Sequence, residues 1–343
     1  MPTRKALPPE APLKVVALGG GTGLAALLRA LKPEALRAQD PWQLTGIVTV
    51  SDNGGSSGRL RTELGIIPPG DLRNCLSALT RQESLLSDLL NYRFSGDGSL
   101  TGHSLGNLML TALADLSGSW VRAIRQLSGI LVTAGRLFPS TLTPVTLMAE
   151  DLDGRHYEGE VAVNGSRPPL ARVWLEPREA EPLPEALLAI LQADLILLAP
   201  GSLYTSTLAS LLIPELRAVV RTSAAPRIYV ANLMTEPGES CGLSLEDHVA
   251  ALQSYGGLAL DAVLVNATEP APGMVERYRA EGGAPVMPTR GPVCGVPVFS
   301  RPLLDPEALQ ARHDATLLNQ ALWELLENLS AQDGDLKTRA ICR

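Results

Sequence analysis

Five apolar runs stop abruptly in small or polar residues, and those stops hold most of the chain's chemistry: GGGTG at 19–23, SDNGGSSGRLR at 51–61, PGSLYTS at 200–206, NLMTEPGES at 232–240 and NATEP at 266–270. In the first, Gly20, Gly21, Thr22 and Gly23 stand between a strand and a helix, where backbone N–H groups and the positive helix end can hold a phosphate. The spacing is not G-x-G-x-x-G, because Leu24 takes the last glycine position, and no Gly-Lys-Ser/Thr ending of a P-loop follows; a plain strand-to-helix turn is the other reading. In the second, Asp52 can accept from a ribose or another hydroxyl, or hold a divalent metal. Ser56 and Ser57 supply donors there, and Arg59 and Arg61 supply cations for phosphate. Gly201 and Ser202 repeat the physics of the first turn, and two anion cradles on one sheet edge suit a diphosphate. Asn232, Thr235 and Asn266 can read a base or a sugar, or serve as caps.

Two further motifs sit between these stops. PPGDLRN, residues 68–74, places Asp71 as an N-cap whose helix projects Arg73 and Asn74. GHSLG, residues 102–106, is a literal G-x-S-x-G, but the nucleophile elbow needs a strand just before its serine and FSGDGSLTG offers only turn formers. The segment therefore reads as a helix N-terminus with His103 and Asn107 on one face, and Ser104 as no nucleophile. His103 is equally a ligand contact or a satisfied structural histidine.

Positioning these residues requires a parallel sheet. KVVALGGGTGLAALLRAL reads as strand, turn and helix, and LTGIVTV as the next strand, which makes a βαβ unit with a right-handed crossover. Helical spacing over 68–131 makes a helical block. PVTLMAEDLDGRHYEGEVAV reads as a hairpin around Asp153-Gly154, with ARVWLEP as a third antiparallel strand. The βα rhythm then resumes from DLILLAP and closes in a long amphipathic ALQARHDATLLNQALWELLENL. The fold class is α/β: a Rossmann-like, mostly parallel sheet with an inserted helical block and a small antiparallel β excursion. Residues 1–13 read as a loose extension, 14–330 as a single domain and 331–343 as a tail. Strand ends of such a sheet line up along one edge, so SDNGGSSGR forms one wall of a ligand crevice.

Composition narrows the ligand. The 343 residues carry a formal charge of −7, which argues against a general nucleic-acid or anionic-membrane surface, so any phosphate is held by a local pocket. Cys75, Cys241, Cys294 and Cys342 are too scattered for a zinc site or a disulfide framework and read as reduced and mostly structural. No run approaches a membrane span and the N-terminus has no signal-peptide core, so the expected location is cytoplasmic.

GGGTG, SDNGGSSGRLR with PPGDLRN behind it, GHSLGN, DLILLAPGSLYTS and YVANLMTEPGE, in this order, resemble the gluconeogenesis factor (YvcK-like) branch of the superfamily that includes 2-phospho-L-lactate transferase (CofD-like). The resemblance runs from about Lys14 to about Ser330. It implies a Rossmann-like α/β sheet with added helices. For the transferases it implies magnesium-dependent transfer of a phospholactyl group from a nucleotide diphosphate donor. For the gluconeogenesis-factor branch it implies binding of UDP-sugars such as UDP-N-acetylglucosamine, and a regulatory role in cell-envelope synthesis and cell shape during gluconeogenic growth. The partners expected on this basis are the nucleotide sugar and envelope-synthesis regulatory proteins; a second copy of the chain is a further expected partner, and the net charge speaks against nucleic acid. By resemblance Gly20, Gly21, Thr22 and Gly23 face a phosphate, Asp52 and Asn53 the crevice, Gly201 and Ser202 the second cradle, Asn232 the nucleotide pocket, and Tyr278 and Arg312 the sugar nucleotide. Two adjacent aspartates are usual where this chain has Asp52 and Asn53, which leaves one carboxylate fewer for Mg²⁺, with Asn53 still offering a carbonyl ligand and Asp52 a candidate metal ligand or general base. A dehydrogenase binding NAD is the other reading of the glycine turn, without a visible Tyr-x-x-x-Lys or similar hydride-transfer set.

Overall fold

The computed structural model describes residues 12–332 apart from 83, 167, 306, 307 and 309. The extension read over 1–13 and the tail read over 331–343, with Cys342, fall almost wholly outside the described residues.

Strand β1 (Lys14–Gly19) is buried throughout its apolar length and runs into helix α1 (Gly21–Ala35), whose leucines at 24, 27, 28 and 31 form one buried stripe. Strand β2 (Gln43–Val48) follows and pairs with β1 in parallel. The helical block is α2 (Gly55–Leu64), α3 (Gly70–Leu79), α4 (Leu85–Asn91), α5 (Leu105–Ser117) and α6 (Trp120–Leu131). It leads into β3 (Arg136–Pro139), a four-residue edge strand with no apolar run to announce it.

The chain then leaves the main sheet. Strands β4 (Thr146–Asp151), β5 (His156–Glu158) and β6 (Leu170–Glu176) form the antiparallel excursion in the order β5-β4-β6. The hairpin over Asp153-Gly154 is present, but its second arm stops after three residues. Gly159 takes a left-handed φ of +84°, and the GEVAV segment read as strand winds into helix α7 (Glu160–Asn164).

Helix α8 (Pro184–Gln192) returns the chain to the sheet as β7 (Leu195–Leu198). A π-helical turn (Leu203–Leu208) and a 3₁₀ turn (Ala209–Leu212) precede α9 (Pro214–Thr222). Then come β8 (Arg227–Val230), α10 (Leu245–Ser254), β9 (Ala262–Asn266), α11 (Pro272–Ala280), β10 (Val298–Arg301) and α12 (Ala315–Gln332). The closing helix starts later than its amphipathic pattern, because Asp314 accepts from the N–H groups of Thr316 and Leu317 and caps it there.

The main sheet has seven strands in the order β10-β9-β8-β7-β1-β2-β3, all parallel. From β1 the chain builds outward to β3, then returns to lay β7 against the other side of β1. The strand order therefore reverses between β1 and β7, and the glycine turns leaving these two strands meet at the place where open α/β sheets bind ligands. Their approach is close. A Cβ on Gly23 would lie 1.8 Å from the Pro200 carbonyl oxygen, whereas one on Gly21 would meet only Ser206 Oγ at 3.6 Å.

We predict that Gly23→Ala destabilises the protein by about 3 kcal/mol or more, because backbone must move, and that Gly21→Ala costs about 1–2 kcal/mol for its φ of +58° alone. Urea unfolding of the two variants checks the order; equal losses would remove the β1–β7 contact as the reason for Gly23.

Candidate functional site

At the β1–β7 reversal several of the turn donors already have protein partners. Gly21 N–H donates to Asp71 Oδ2 at 2.7 Å. Asp71 is thus no N-cap: Pro69 holds that position and Asp71 lies in the first turn of α3, reaching across to the glycine turn. Arg73 beside it is buried and points away, donating to Asn91 Oδ1 in the helical block. At the second cradle, Asn232 accepts from Gly201 N–H and donates to Gly201 O, so both ends of its amide clamp the turn. Ser202 Oγ donates to Glu236 Oε2 at 2.6 Å. The fully buried Glu239 accepts from the N–H groups of Tyr204 and Thr205, the donors at the start of the π-helical turn. Internal carboxylates therefore occupy positions that the pattern of donors reserves for an anion. Thr22 remains exposed at the tip of the first turn.

At the β2 exit Asp52 Oδ1 accepts from Gly54 N–H at 2.7 Å, and Asn53 Oδ1 accepts from Val161 N–H at 3.0 Å. The segment that follows is the start of α2 rather than an open loop. Ser56 Oγ lies 3.0 Å from His103 Nδ1 and accepts from Asn107 Nδ2 at 3.0 Å, so three residues picked from two separate motifs meet in one buried network. Burial, then the Arg59 guanidinium, holds His103 below its ordinary pKa, which favours the neutral ring in this network. Ser57 Oγ lies against Gly70 at the start of α3. Ser104 is the N-cap of α5 and is fully buried, in keeping with a helix start. Arg59 donates to Thr101 O on the exposed side, and Arg61 to Ser51 O and Thr146 Oγ1.

The remaining residues stand apart. Tyr278 is half-buried on α11, and Arg312 is exposed next to His313, whose Nε2 contacts Ala231 O just past β8. Both flank the β8 exit, and no hydrogen bond joins them to the β1 and β2 exits among the described residues. Asn266 accepts from Leu303 N–H and braces the β9 exit. Of the cysteines, Cys75 is buried but Cys241 and Cys294 are exposed, so the structural reading fits only the first.

Sequence reasoning passed over three acids: Glu160, Glu236 and Glu239. It sought donors for a phosphate, and acids belong to the opposite pattern. The signal for two of them was present in NLMTEPGES, directly after a strand. Burial, then the Asp52 charge, pushes Asp71 up to about 6. Burial, then the Asp52, Asp71, Glu239 and Glu236 charges, pushes Glu160 up to about 9, and burial followed by Glu236 pushes Glu239 up to about 8. Groups so perturbed in a strand-end crevice make these acids candidates for the functional site.

The family description that matches residues 15–304 reads "2-phospho-L-lactate transferase CofD". The chain belongs to the CofD family. A relative from Aquifex aeolicus is 42% identical over 324 residues, covering 92% of this chain and 97% of that protein. The gluconeogenesis factor of Bacillus subtilis is 43% identical over 274 residues, covering 80% and 84%. A crystal structure of a Bacillus halodurans protein superposes with a TM-score of 0.85 at 38% identity, covering 91% of this chain and 99% of that one. These relatives place the chain in the gluconeogenesis-factor branch of the family.

The magnesium chemistry attached to the transferases can be tested against these side chains. Asp52 Oδ1 and Asn53 Oδ1 each accept a backbone N–H, and Asp71 Oδ2 is held by Gly21. Among the described residues no three His, Cys, Asp or Glu side chains are gathered for a metal ion. The described side chains thus form no all-protein Mg²⁺ cage. Nor is any single helix among the described residues long and apolar enough to cross a membrane.

The raised carboxyl pKa values carry a sign. The folded form holds protons that the unfolded chain releases above about 4.5, so this contribution to stability is fully present below that pH and is lost as pH rises through about 8 for Glu239. We expect the ligand-free protein to melt progressively lower from pH 5 to pH 9. Glu239→Ala should cost about 2–5 kcal/mol by orphaning two buried N–H groups and should flatten that slope; urea unfolding at both pH values reads both effects, and an unchanged slope would refute the assignment.

Proposed function

We propose that this protein binds a nucleotide diphosphate sugar of the UDP-N-acetylglucosamine type in the crevice at the β1–β7 reversal, and acts as a metabolite-responsive regulator of envelope synthesis and cell shape during gluconeogenic growth. The observation that carries the reading is the meeting of two glycine turns at the reversal of strand order in a chain of the gluconeogenesis-factor branch. Thr22 and the free part of the first turn face the diphosphate, with Ser56, Ser57 and Arg59 on the β2 side. Tyr278 and Arg312 flank the β8 exit, far enough along the edge to meet the sugar or the base.

Two features favour a sensor over an enzyme. Position 53 carries an amide whose oxygen is spent on Val161, and Glu236 and Glu239 bind the second cradle's donors, so ligand entry there must exchange one set of hydrogen bonds for another. An exchange of that kind converts binding into a rearrangement of the 232–240 segment, which partner proteins can read. The family description supports a second reading, a transferase using a nucleotide diphosphate donor with Asp52 as general base.

Calorimetric titration with UDP-N-acetylglucosamine, UDP-glucose and NAD, with and without Mg²⁺, followed by chromatography of the mixtures, separates these readings. The sensor binds a UDP-sugar and leaves it intact; Mg²⁺-dependent consumption of the donor makes the protein a transferase. Gly21→Asp, which has room for its Cβ but sets an anion at the turn, should abolish binding in a folded protein. Unchanged affinity would remove the glycine turn from the site.

A further inference from the structure

Helix α7 belongs by sequence to the β excursion, yet it is fastened to the crevice at three places. Asn53 Oδ1 accepts from Val161 N–H across 108 residues of chain. Gly159 packs so tightly on the Asn53 amide that a Cβ there would lie 2.1 Å from Nδ2. At the other end, Asn164 O accepts from Glu239 N–H at 3.1 Å, and Thr205 Oγ1 donates to Asn164 Oδ1. The helix therefore bridges the β2 exit and the β7–β8 exits over the crevice. Its first residue is Glu160, held between the two contacts that Asn53 makes. The Glu160 carboxyl has no hydrogen bond or ion pair with any other described residue and retains partial access to solvent. An acid brought by a dedicated clamp to such a place, and given no partner in the fold, has its partner elsewhere.

Resting on the nucleotide-diphosphate reading above, we propose that Asn53 positions Glu160 as a ligand-binding residue, whose neutral carboxyl donates a hydrogen bond to an oxygen of the bound nucleotide diphosphate. The charges that act on it are those of Asp52 from the β2 exit, Asp71 from α3, and Glu236 and Glu239 from the segment after β8. With no cation among them, a charged carboxylate here would repel a diphosphate, whereas a protonated one is a donor, the arrangement by which a carboxylic acid in an apolar or like-charged site serves as a hydrogen-bond donor near neutral pH. Burial and these four charges favour the protonated form in the free protein, and an arriving diphosphate adds to them. The assignment also gives position 53 a function distinct from metal binding: its side chain fixes α7.

Titration of wild type, Glu160→Gln, Glu160→Ala and Asn53→Ala with UDP-N-acetylglucosamine, at about pH 7 and about pH 9.5, tests this. Glutamine keeps a neutral donor, so Glu160→Gln should bind within about threefold of wild type at pH 7, while Glu160→Ala and Asn53→Ala should each weaken binding about tenfold, the equivalent of one hydrogen bond to the ligand. Wild-type affinity should fall more steeply between the two pH values than that of Glu160→Gln, because only the acid ionises; a nucleobase that titrates in this range affects both alike. Circular dichroism confirms that the variants remain folded. Tight binding by Glu160→Ala, or equal pH slopes in wild type and Glu160→Gln, would overturn the role of Glu160 and leave the nucleotide reading intact. No binding by wild type at either pH would overturn both.

Discussion

Much of the architecture depends on the contact between Gly23 and the Pro200 carbonyl. Strands β1 and β7 lie side by side in parallel, although some 175 residues separate them. Their exit turns can sit together only if one of them has no side chain at the crossing point. Where two backbones approach within van der Waals contact, a single methyl group forces a shift of the main chain, and a main-chain shift here would move the start of α1 and the π-helical turn together. The reversal of strand order opens the crevice, and the glycine keeps its two lips at fixed separation.

Around that opening, several helix and turn starts satisfy their free N–H groups with a carboxylate, two of them from another part of the chain and one from two residues upstream. Asp71 serves the first glycine turn, Asp52 the start of α2, and Glu239 the π-helical turn. Individually each bond is a remedy for the unpaired donors that any helix start presents. Burial, and after it the Asp52 charge for Asp71 and the Glu236 charge for Glu239, raises the pKa of these two acids and makes the crevice less anionic than a count of its carboxylates suggests. That arrangement is compatible with the anionic ligand proposed for the crevice, since protonated acids and freed amides both donate.

The β excursion acquires its meaning from this context. As an isolated three-stranded sheet it is unremarkable, with alternating buried residues on β4 and a short hairpin. The Asn53 amide turns it into a third wall by catching α7, which places Glu160 inside and Val161 against Gly54. A chain segment inserted between β3 and β7 thereby reaches back to the exit of β2, and positions close to each other in the crevice come from segments more than a hundred residues apart.

Local pattern by itself determined the α/β class, the strand-turn-helix units and the alignment of polar strand ends on one edge, because two- and three-to-four-residue periodicities and glycine turns are properties of adjacent residues. It also argued against a nucleophilic Ser104, since the absence of a strand before GHSLG is local. The edge strands β3 and β10 left no such trace, being four residues long and only partly buried. Nor did it place the acids: Asp71 reads as an N-cap until the fold brings Gly21 to it, Asn232 as a ligand contact until it closes on Gly201, and Glu160 as part of a strand until Asn53 draws it into a helix. These assignments depend on which distant donor arrives at each carbonyl or carboxylate, and that is decided by the topology that laid β7 beside β1.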